Sequence, residues 1–77
     1  MPKFRKKPVI VEAHQISAPE DIETLEGTMH GKPGDWMMTG VYGEQYFCKD
    51  KIFRRTYEPV DDEGIRALHK YVLSKEE

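Results

Sequence analysis

Cysteine and long apolar runs are the two features that this sequence most lacks. Cys48 is the only cysteine, which excludes an internal disulfide and a cysteine-based metal site. No stretch approaches the ~20 consecutive apolar residues that a bilayer-spanning helix needs. The basic start is not followed by the apolar segment of a secretory signal. We therefore expect a soluble protein of a reducing cytoplasm, with no membrane partner.

Apolar residues in general are scarce. The 77-residue chain is 38% hydrophobic and 34% charged. A chain of this length forms one domain and buries only about 60–65% of its unfolded surface. We predict a single domain over residues 1–77, with a basic lead-in at 1–7 and a frayed tail at 75–77. Because so small a core is marginal, self-association would stabilise it, and a homo-oligomer is one possible state.

The charges are segregated along the chain, although the net charge is only −2. Basic residues outnumber acids four to one over the first fifteen positions and four to three over 44–58, whereas acids outnumber bases five to one over 16–35. This pattern favours a dipolar surface with one basic face, while scattered solvated charges are the simpler interpretation. The basic residues concerned are Lys3, Arg5, Lys6, Lys7, Lys49, Lys51, Arg54 and Arg55.

The first third of the chain predicts a strand and then a short helix. Residues 8–16 are rich in β-branched side chains, which favours a strand. Ser17 and Glu20 have the spacing of a capping box, which predicts a helix over 19–26 packed through Ile22 and Leu25. Two glycines and a proline predict a loop over 28–34.

The centre of the chain predicts a β-hairpin. Residues 35–39 and 44–49 are typical of strands, and the reversal between them holds Gly40 and Gly43. A helical turn over 50–54 follows, with Asp50 as its possible N-cap. A return strand over 56–60 is then expected, with Pro59 at a sheet edge.

The last third predicts a helix that begins after the acidic residues 61–63 and runs to about Ser74. Its apolar stripe is expected to pack on the sheet, and it consists of Ile65, Leu68, His69 and Val72. Together these elements predict an α+β fold. The fold would comprise a small antiparallel sheet of about three to four strands, a short helix and a C-terminal helix.

The central segment also carries a recurring signature. It consists of Pro33-Gly34-Asp35-Trp36, Thr39-Gly40-Val41, Gly43-Glu44, Tyr46, Cys48-Lys49, Ile52-Phe53 and Thr56-Tyr57-Glu58. With residues 5–9 and 12–13, it resembles small proteins encoded by bacteriophages and prophages, over roughly half of the chain in the same order. Two features depart from that pattern: residues 50–51 are Asp-Lys where Pro-Asp is usual, and a helix follows Val60. The resemblance implies an accessory role in the host cytoplasm, such as blocking or redirecting a host protein, and it names no activity.

No catalytic or metal-binding set can be assembled from the sequence. His14, His30 and His69 are widely spaced and have no acidic or cysteine partner at ligand intervals. Cys48 has no assignable base, so a core thiol is the simpler interpretation. The acidic run 61–63 is typical of helix capping. We therefore expect no enzyme, no metal and no cofactor.

Aromatic and basic residues around the hairpin are the candidate binding residues: Trp36, Tyr42, Tyr46, Lys49, Arg54 and Arg55. Trp, Tyr and Arg are typical anchors of protein interfaces. The same residue types can stack a base and hold a phosphate. Trp36 could equally belong to the core, whereas Tyr42, at the turn, is the residue most expected to be exposed.

Three functional hypotheses follow. The favoured one is a non-enzymatic phage-type accessory protein that binds a host macromolecule, a protein in the first instance. The second is an oligomer that sequesters a small anionic nucleotide as an anti-defence sponge, with pockets between subunits. The third is a nucleic-acid-binding module that uses residues 3–7 and 54–55, and the net charge of −2 argues against it.

Overall fold

The chain folds into two small antiparallel sheets and two helices, the α+β architecture that the sequence predicts. In the computed structural model, the backbone is described for residues 1–75 and the side chains for residues 1–69. The elements in chain order are β1 (Glu12–Gln15), β2 (Glu20–Thr24), β3 (Gly27–Gly31), β4 (Trp36–Thr39), β5 (Gln45–Cys48), α1 (Asp50–Thr56) and α2 (Asp62–Lys75).

The three-stranded sheet has the order β1-β4-β5, with β4 in the middle. In its register, Met38 lies opposite Ala13 on one side and Tyr46 on the other. The predicted central hairpin is confirmed. Gly43 closes its turn with a φ of 82°, a conformation that glycine adopts without strain. The predicted strand over residues 8–16 is confirmed only for Glu12–Gln15.

The predicted helix over residues 19–26 is wrong, because these residues form the first strand and the turn of a second hairpin, β2–β3. Ile22 is buried as expected, but Leu25 lies at the turn and is fully exposed. Their spacing of three is therefore not an apolar helical stripe. Ile22 instead alternates with the exposed Asp21 and Glu23, which is the period of a half-buried strand.

The same hairpin also shortens the predicted loop over residues 28–34 to its second part, 32–34, since β3 runs from Gly27 to Gly31. Gly27 has a φ of 123° and closes the turn, so it starts a strand rather than ending a helix. Thr24 Oγ1 donates a hydrogen bond to the Gly27 carbonyl at 2.7 Å. Exposed cross-strand pairs then hold the register, with Thr28 bonded to Glu23 at 3.0 Å and His30 to Asp21 at 2.8 Å.

The predicted return strand over residues 56–60 is also wrong. Helix α1 continues to Thr56, and the Tyr57 N–H caps it by donating to the Phe53 carbonyl at 2.8 Å. The rings of Phe53 and Tyr57, one helical turn apart, stack with centroids 5.3 Å apart, which favours this continuation. Asp50 is the first helical residue, and the N-cap position belongs to Lys49.

Helix α2 confirms the predicted C-terminal helix, and Asp61 caps it by accepting a hydrogen bond from the Gly64 N–H at 2.9 Å. The predicted stripe is only partly correct. Leu68 packs against the core, but Ile65 is 42% exposed and His69 is exposed. The small residue Ala67 packs there instead, so the helix approaches the domain on a face rotated from the one predicted. The side chain of Val72 and residues 76–77 of the predicted tail lie outside the described part.

The core is centred on Trp36, Met38 and Phe53, all buried. The rings of Trp36 and Phe53 stack with centroids 4.0 Å apart and planes 10° apart, which joins α1 to the sheet. Half-buried residues surround this centre, namely Val11, Ala13, Tyr46, Cys48, Tyr57, Ala67 and Leu68. The core thus lies between the three-stranded sheet and the two helices.

The contact between the two sheets gives a first prediction. Gly31 is buried in β3, and a Cβ built on it would lie 2.5 Å from the Phe47 ring. We expect Gly31→Ala to lower the free energy of unfolding by about 1–3 kcal/mol, because the ring must move from its place. Urea unfolding followed by circular dichroism measures this. Phe47→Leu should relieve the overlap, so the double variant should lose less than the sum of the single losses. A wild-type midpoint for Gly31→Ala would contradict the prediction.

Candidate protein-binding groove

The structure does not bring the six predicted binding residues together on one surface. Tyr42, Lys49 and Arg55 are exposed, whereas Tyr46 and Arg54 are half-buried. Trp36 is 1% exposed, so it belongs to the core, the alternative that the sequence left open. A continuous basic and aromatic surface around the hairpin is therefore not formed by these residues.

Arg54 and Trp36 are instead joined internally through Asp50. Asp50 Oδ1 accepts hydrogen bonds from Trp36 Nε1 at 2.9 Å and from Arg54 Nε at 2.8 Å. Gln15 Nε2 donates to the same oxygen at 3.2 Å. Arg54 Nη2 donates to the Leu68 carbonyl at 3.1 Å, which ties α1 to α2. The spacing of four between Asp50 and Arg54 is the sequence signal for this ion pair.

The tip of the central hairpin is an exposed apolar point. Tyr42 is 92% exposed and Val41 is 58% exposed. The tip is ordered by hydrogen bonds, since Glu44 Oε1 accepts from the Tyr42 N–H at 3.0 Å. The hydrogen bond orders the backbone of Tyr42, and a tyrosine side chain has few rotatable bonds to immobilise when a partner buries it.

A groove of about 400 Å³ opens beside the three-stranded sheet. Its floor includes Trp36 and Phe53, and one wall is formed by the consecutive residues 11–14 of β1 and its lead-in. The opposite walls are the extended segment 57–61 and the first turns of α2. The groove thus has an apolar floor and lies between a strand and a helix.

The rim of the groove is acidic. Among its lining residues four are carboxylic acids and none is lysine or arginine; the acids are Glu12, Glu58, Asp61 and Glu63. His14 is the one other titratable side chain of the strand wall. The clustered negative charge favours a cationic occupant and opposes a phosphate. An anionic nucleotide is therefore a poor match for this groove.

Strand β1 is at the edge of its sheet, since β4 is its only strand neighbour among residues 1–75. Three consecutive residues of β1, at positions 12–14, line the groove although neighbouring strand residues point to opposite faces, which fits a groove that reaches the edge of the strand. An unpaired edge presents backbone N–H and C=O groups to any extended chain that approaches. Sequence reasoning missed this feature, because strand order is a tertiary property.

The described part of the chain offers few features of a metal site or of a membrane-spanning segment. No group of three or more His, Cys, Asp or Glu side chains within residues 1–69 is placed to hold a metal ion. The widely separated histidines include His30, whose Nδ1 lies 2.8 Å from the Asp21 carboxylate at the surface. No helix among the described residues is long and apolar enough to cross a membrane.

The surroundings of Cys48 disfavour the reactive thiolate form of its side chain. Burial, and secondarily the Asp35 carboxylate, raises the pKa of this thiol, and Lys6 offsets only part of the rise. Tyr46 behaves in the same way, since burial and, secondarily, the neighbouring Tyr57 raise the pKa of the phenol. Both environments favour the neutral form of the side chain.

These shifts predict the response to alkali. A raised pKa in the folded state contributes stability that is complete below the ordinary thiol value of about 8.5 and is lost as pH rises through the folded-state pKa. We expect the urea midpoint to fall from about pH 8.5 upward, and Cys48→Ala to reduce that fall. At neutral pH the native thiol should react with Ellman's reagent at least ~10-fold more slowly than in urea. Equal rates in the two states would contradict the assignment.

Comparison with known proteins gives no relative for this chain: no protein-family model, no curated protein and no solved structure matches it. The functional argument therefore rests on the groove and on the residues that form it.

Proposed function

We propose that this chain is a non-enzymatic accessory protein of the small phage-encoded type, which binds a host protein in the groove beside β1. The bound segment is extended, basic and partly apolar. The observation that carries the proposal is the unpaired edge of β1, which forms one wall of a groove with an apolar floor and an acidic rim. The phage-type role is the expectation from the sequence resemblance.

Strand addition is the binding mode that this geometry favours. An extended segment beside β1 would form backbone hydrogen bonds with the strand edge, and its alternate side chains would enter the groove. The volume of about 400 Å³ accommodates a few side chains of such a segment. The acids Glu12, Glu58 and Glu63 would pair with its lysines or arginines.

The exposed tip of the central hairpin offers a second contact for the same partner. Tyr42 and Val41 lie at a hydrogen-bonded turn, and tyrosine is among the residue types that dominate interface energies. In this proposal the groove is the main binding site and the hairpin tip is an auxiliary site. A single partner could contact both.

The proposal is tested with an extended basic probe, an alternating Lys–Val octapeptide labelled with fluorescein. We expect the full chain to bind this peptide and not an alternating Glu–Val octapeptide, with backbone amide NMR shifts concentrated in residues 12–15. The groove variant E12K/E58K should weaken binding at least ~10-fold, equivalent to about 1.4 kcal/mol. The matched control E20K/E26K makes the same charge change at exposed positions of the β2–β3 hairpin and should bind normally.

Two results would overturn the proposal. Equal binding of the Lys–Val and Glu–Val peptides would remove the role of the acidic rim. Wild-type affinity in E12K/E58K would place the bound peptide outside the groove. A differential pull-down from bacterial lysate, comparing the wild type with E12K/E58K, then selects host proteins whose capture depends on the groove.

A further inference from the structure

The N-terminal arm, residues 1–10, is paired with no strand of either sheet. Each of its residues is exposed, and the arm contains no helix or strand. It nevertheless carries large apolar side chains, with Phe4 94% exposed and Ile10 72% exposed. Large apolar side chains exposed along one short segment are typical of a segment that a partner buries.

The arm is complementary in charge to the groove. Its cations are Lys3, Arg5, Lys6 and Lys7. They match the four carboxylates of the groove rim in number and oppose them in sign. Lys6 Nζ of the same chain lies 5.3 Å from the centroid of the Tyr57 ring, and Tyr57 lines the groove. A cationic side chain of the arm therefore already lies beside one of the residues that line the groove.

The chain's connectivity opposes pairing of the arm with its own β1. The arm leads directly into β1, so it would have to reverse in a tight turn to lie along the strand's outer edge. Tight hairpin turns favour Gly, Asn or Asp, and residues 1–10 contain none of these. The arm of a second copy needs no turn, because two β1 edges related by a two-fold axis run antiparallel.

We propose that two copies of this chain exchange their N-terminal arms, each arm lying along the partner copy's β1 and in its acidic groove. An extended arm of this length spans about 33 Å. This is shorter than the longest dimension of the chain, 44 Å, so the arm can lie along the partner copy over its whole length. The exchange closes both open strand edges and buries Phe4 and Ile10. Pro8, which has no backbone N–H, is accommodated where its nitrogen faces away from β1.

This inference rests on the proposed function, since both use the same groove. It adds regulation to it: the arm of the second copy competes with the host segment. The dimer is then the resting state, and a host segment binds only as it displaces an arm. Binding of the Lys–Val peptide should therefore weaken as the protein concentration rises.

A charge-swap experiment on the full chain tests the exchange. The arm variant is R5E/K6E/K7E and the groove variant is E12K/E58K/E63K, all at exposed positions. Sedimentation equilibrium should show a wild-type dimer, and each variant alone should have its dissociation constant raised at least ~10-fold. Mixed together, the two variants should form a heterodimer, detected by native mass spectrometry, because each arm then meets a groove of opposite charge. The matched control K49E/K51E/R55E changes as much charge outside the arm and should dimerise as the wild type does.

Each outcome separates this inference from the proposed function. A wild-type monomer that still binds the Lys–Val peptide would overturn arm exchange and leave the groove as a binding site. A dimer unaffected by both variants would place the contact elsewhere and overturn the exchange. A charge-swapped heterodimer without peptide binding would support the exchange and overturn the host-segment proposal. Absence of both dimer and peptide binding would overturn both.

Discussion

Replacement of Trp36 by alanine will remove a large part of the domain's free energy of unfolding. Trp36 is 1% exposed, stacks on Phe53 at 4.0 Å and donates to Asp50. Truncation of a buried tryptophan costs about 3–5 kcal/mol. A domain of this size has a total stability of about 4–12 kcal/mol at ~0.05–0.15 kcal/mol per residue. The expected loss is therefore a large part of the whole.

Urea unfolding followed by far-ultraviolet circular dichroism measures this loss, since Trp36 is the only tryptophan and fluorescence would vanish with it. Tyr42→Ala is the control, because Tyr42 is 92% exposed, and its midpoint should stay within ~0.5 kcal/mol of the wild type. A Trp36→Ala variant as stable as Tyr42→Ala would mean that Trp36 is not in the core.

Replacement of Asp50 by alanine is expected to cost about 2–3 kcal/mol. Asp50 Oδ1 accepts from three side chains, those of Gln15, Trp36 and Arg54. Its removal leaves the Trp36 indole N–H without an acceptor in a buried position. It also leaves the Arg54 guanidinium, whose side chain is 26% exposed, without its carboxylate.

Asp50→Asn distinguishes the two losses. The amide keeps an acceptor oxygen for the indole and removes the charge that faces Arg54, so it should cost about 1 kcal/mol. A double-mutant cycle of Asp50→Ala with Arg54→Met then measures their coupling, because methionine keeps much of the aliphatic stem. If Asp50→Ala unfolded at the wild-type urea concentration, the network would have no role in stability.

The elements that sequence reasoning predicted correctly are those set by neighbours along the chain. The central hairpin follows from glycines at its turn and from alternation in its strands, and Gly43 adopts the expected positive φ. Helix α2 begins where Asp61 caps it. In both cases the deciding interactions join residues fewer than five positions apart.

The errors arose where a local signal had two interpretations. Ile22 and Leu25 fit a short helix by spacing, but the alternation of Ile22 with exposed acids fits a strand. The choice was made by pairing with β3, which supplies cross-strand hydrogen bonds that an isolated short helix cannot match. Tyr57 likewise has high strand propensity, yet its stacking on Phe53 accompanies the helical ending.

The candidate site shows the same division. Exposure of Tyr42 follows from its place at a turn, and the structure has it exposed. The roles of Trp36 and Arg54 could not be deduced from residue type, because both depend on Asp50, the first residue of α1, which bonds to Trp36 of β4 and to Arg54. The groove was absent from the sequence reasoning, since it requires β1 at an edge and α2 across from it.

By itself the sequence determined the α+β class, the central hairpin, the C-terminal helix and the segregation of charge between arm and acidic segments. Turn chemistry, helix caps and charge order are properties of adjacent residues, and they need no knowledge of the fold. Only the tertiary structure decided which strand has a free edge, which aromatic residues are buried, and which acids meet around one groove. Those outcomes depend on contacts between residues distant along the chain, and the strand order that creates them is settled by packing of the whole core.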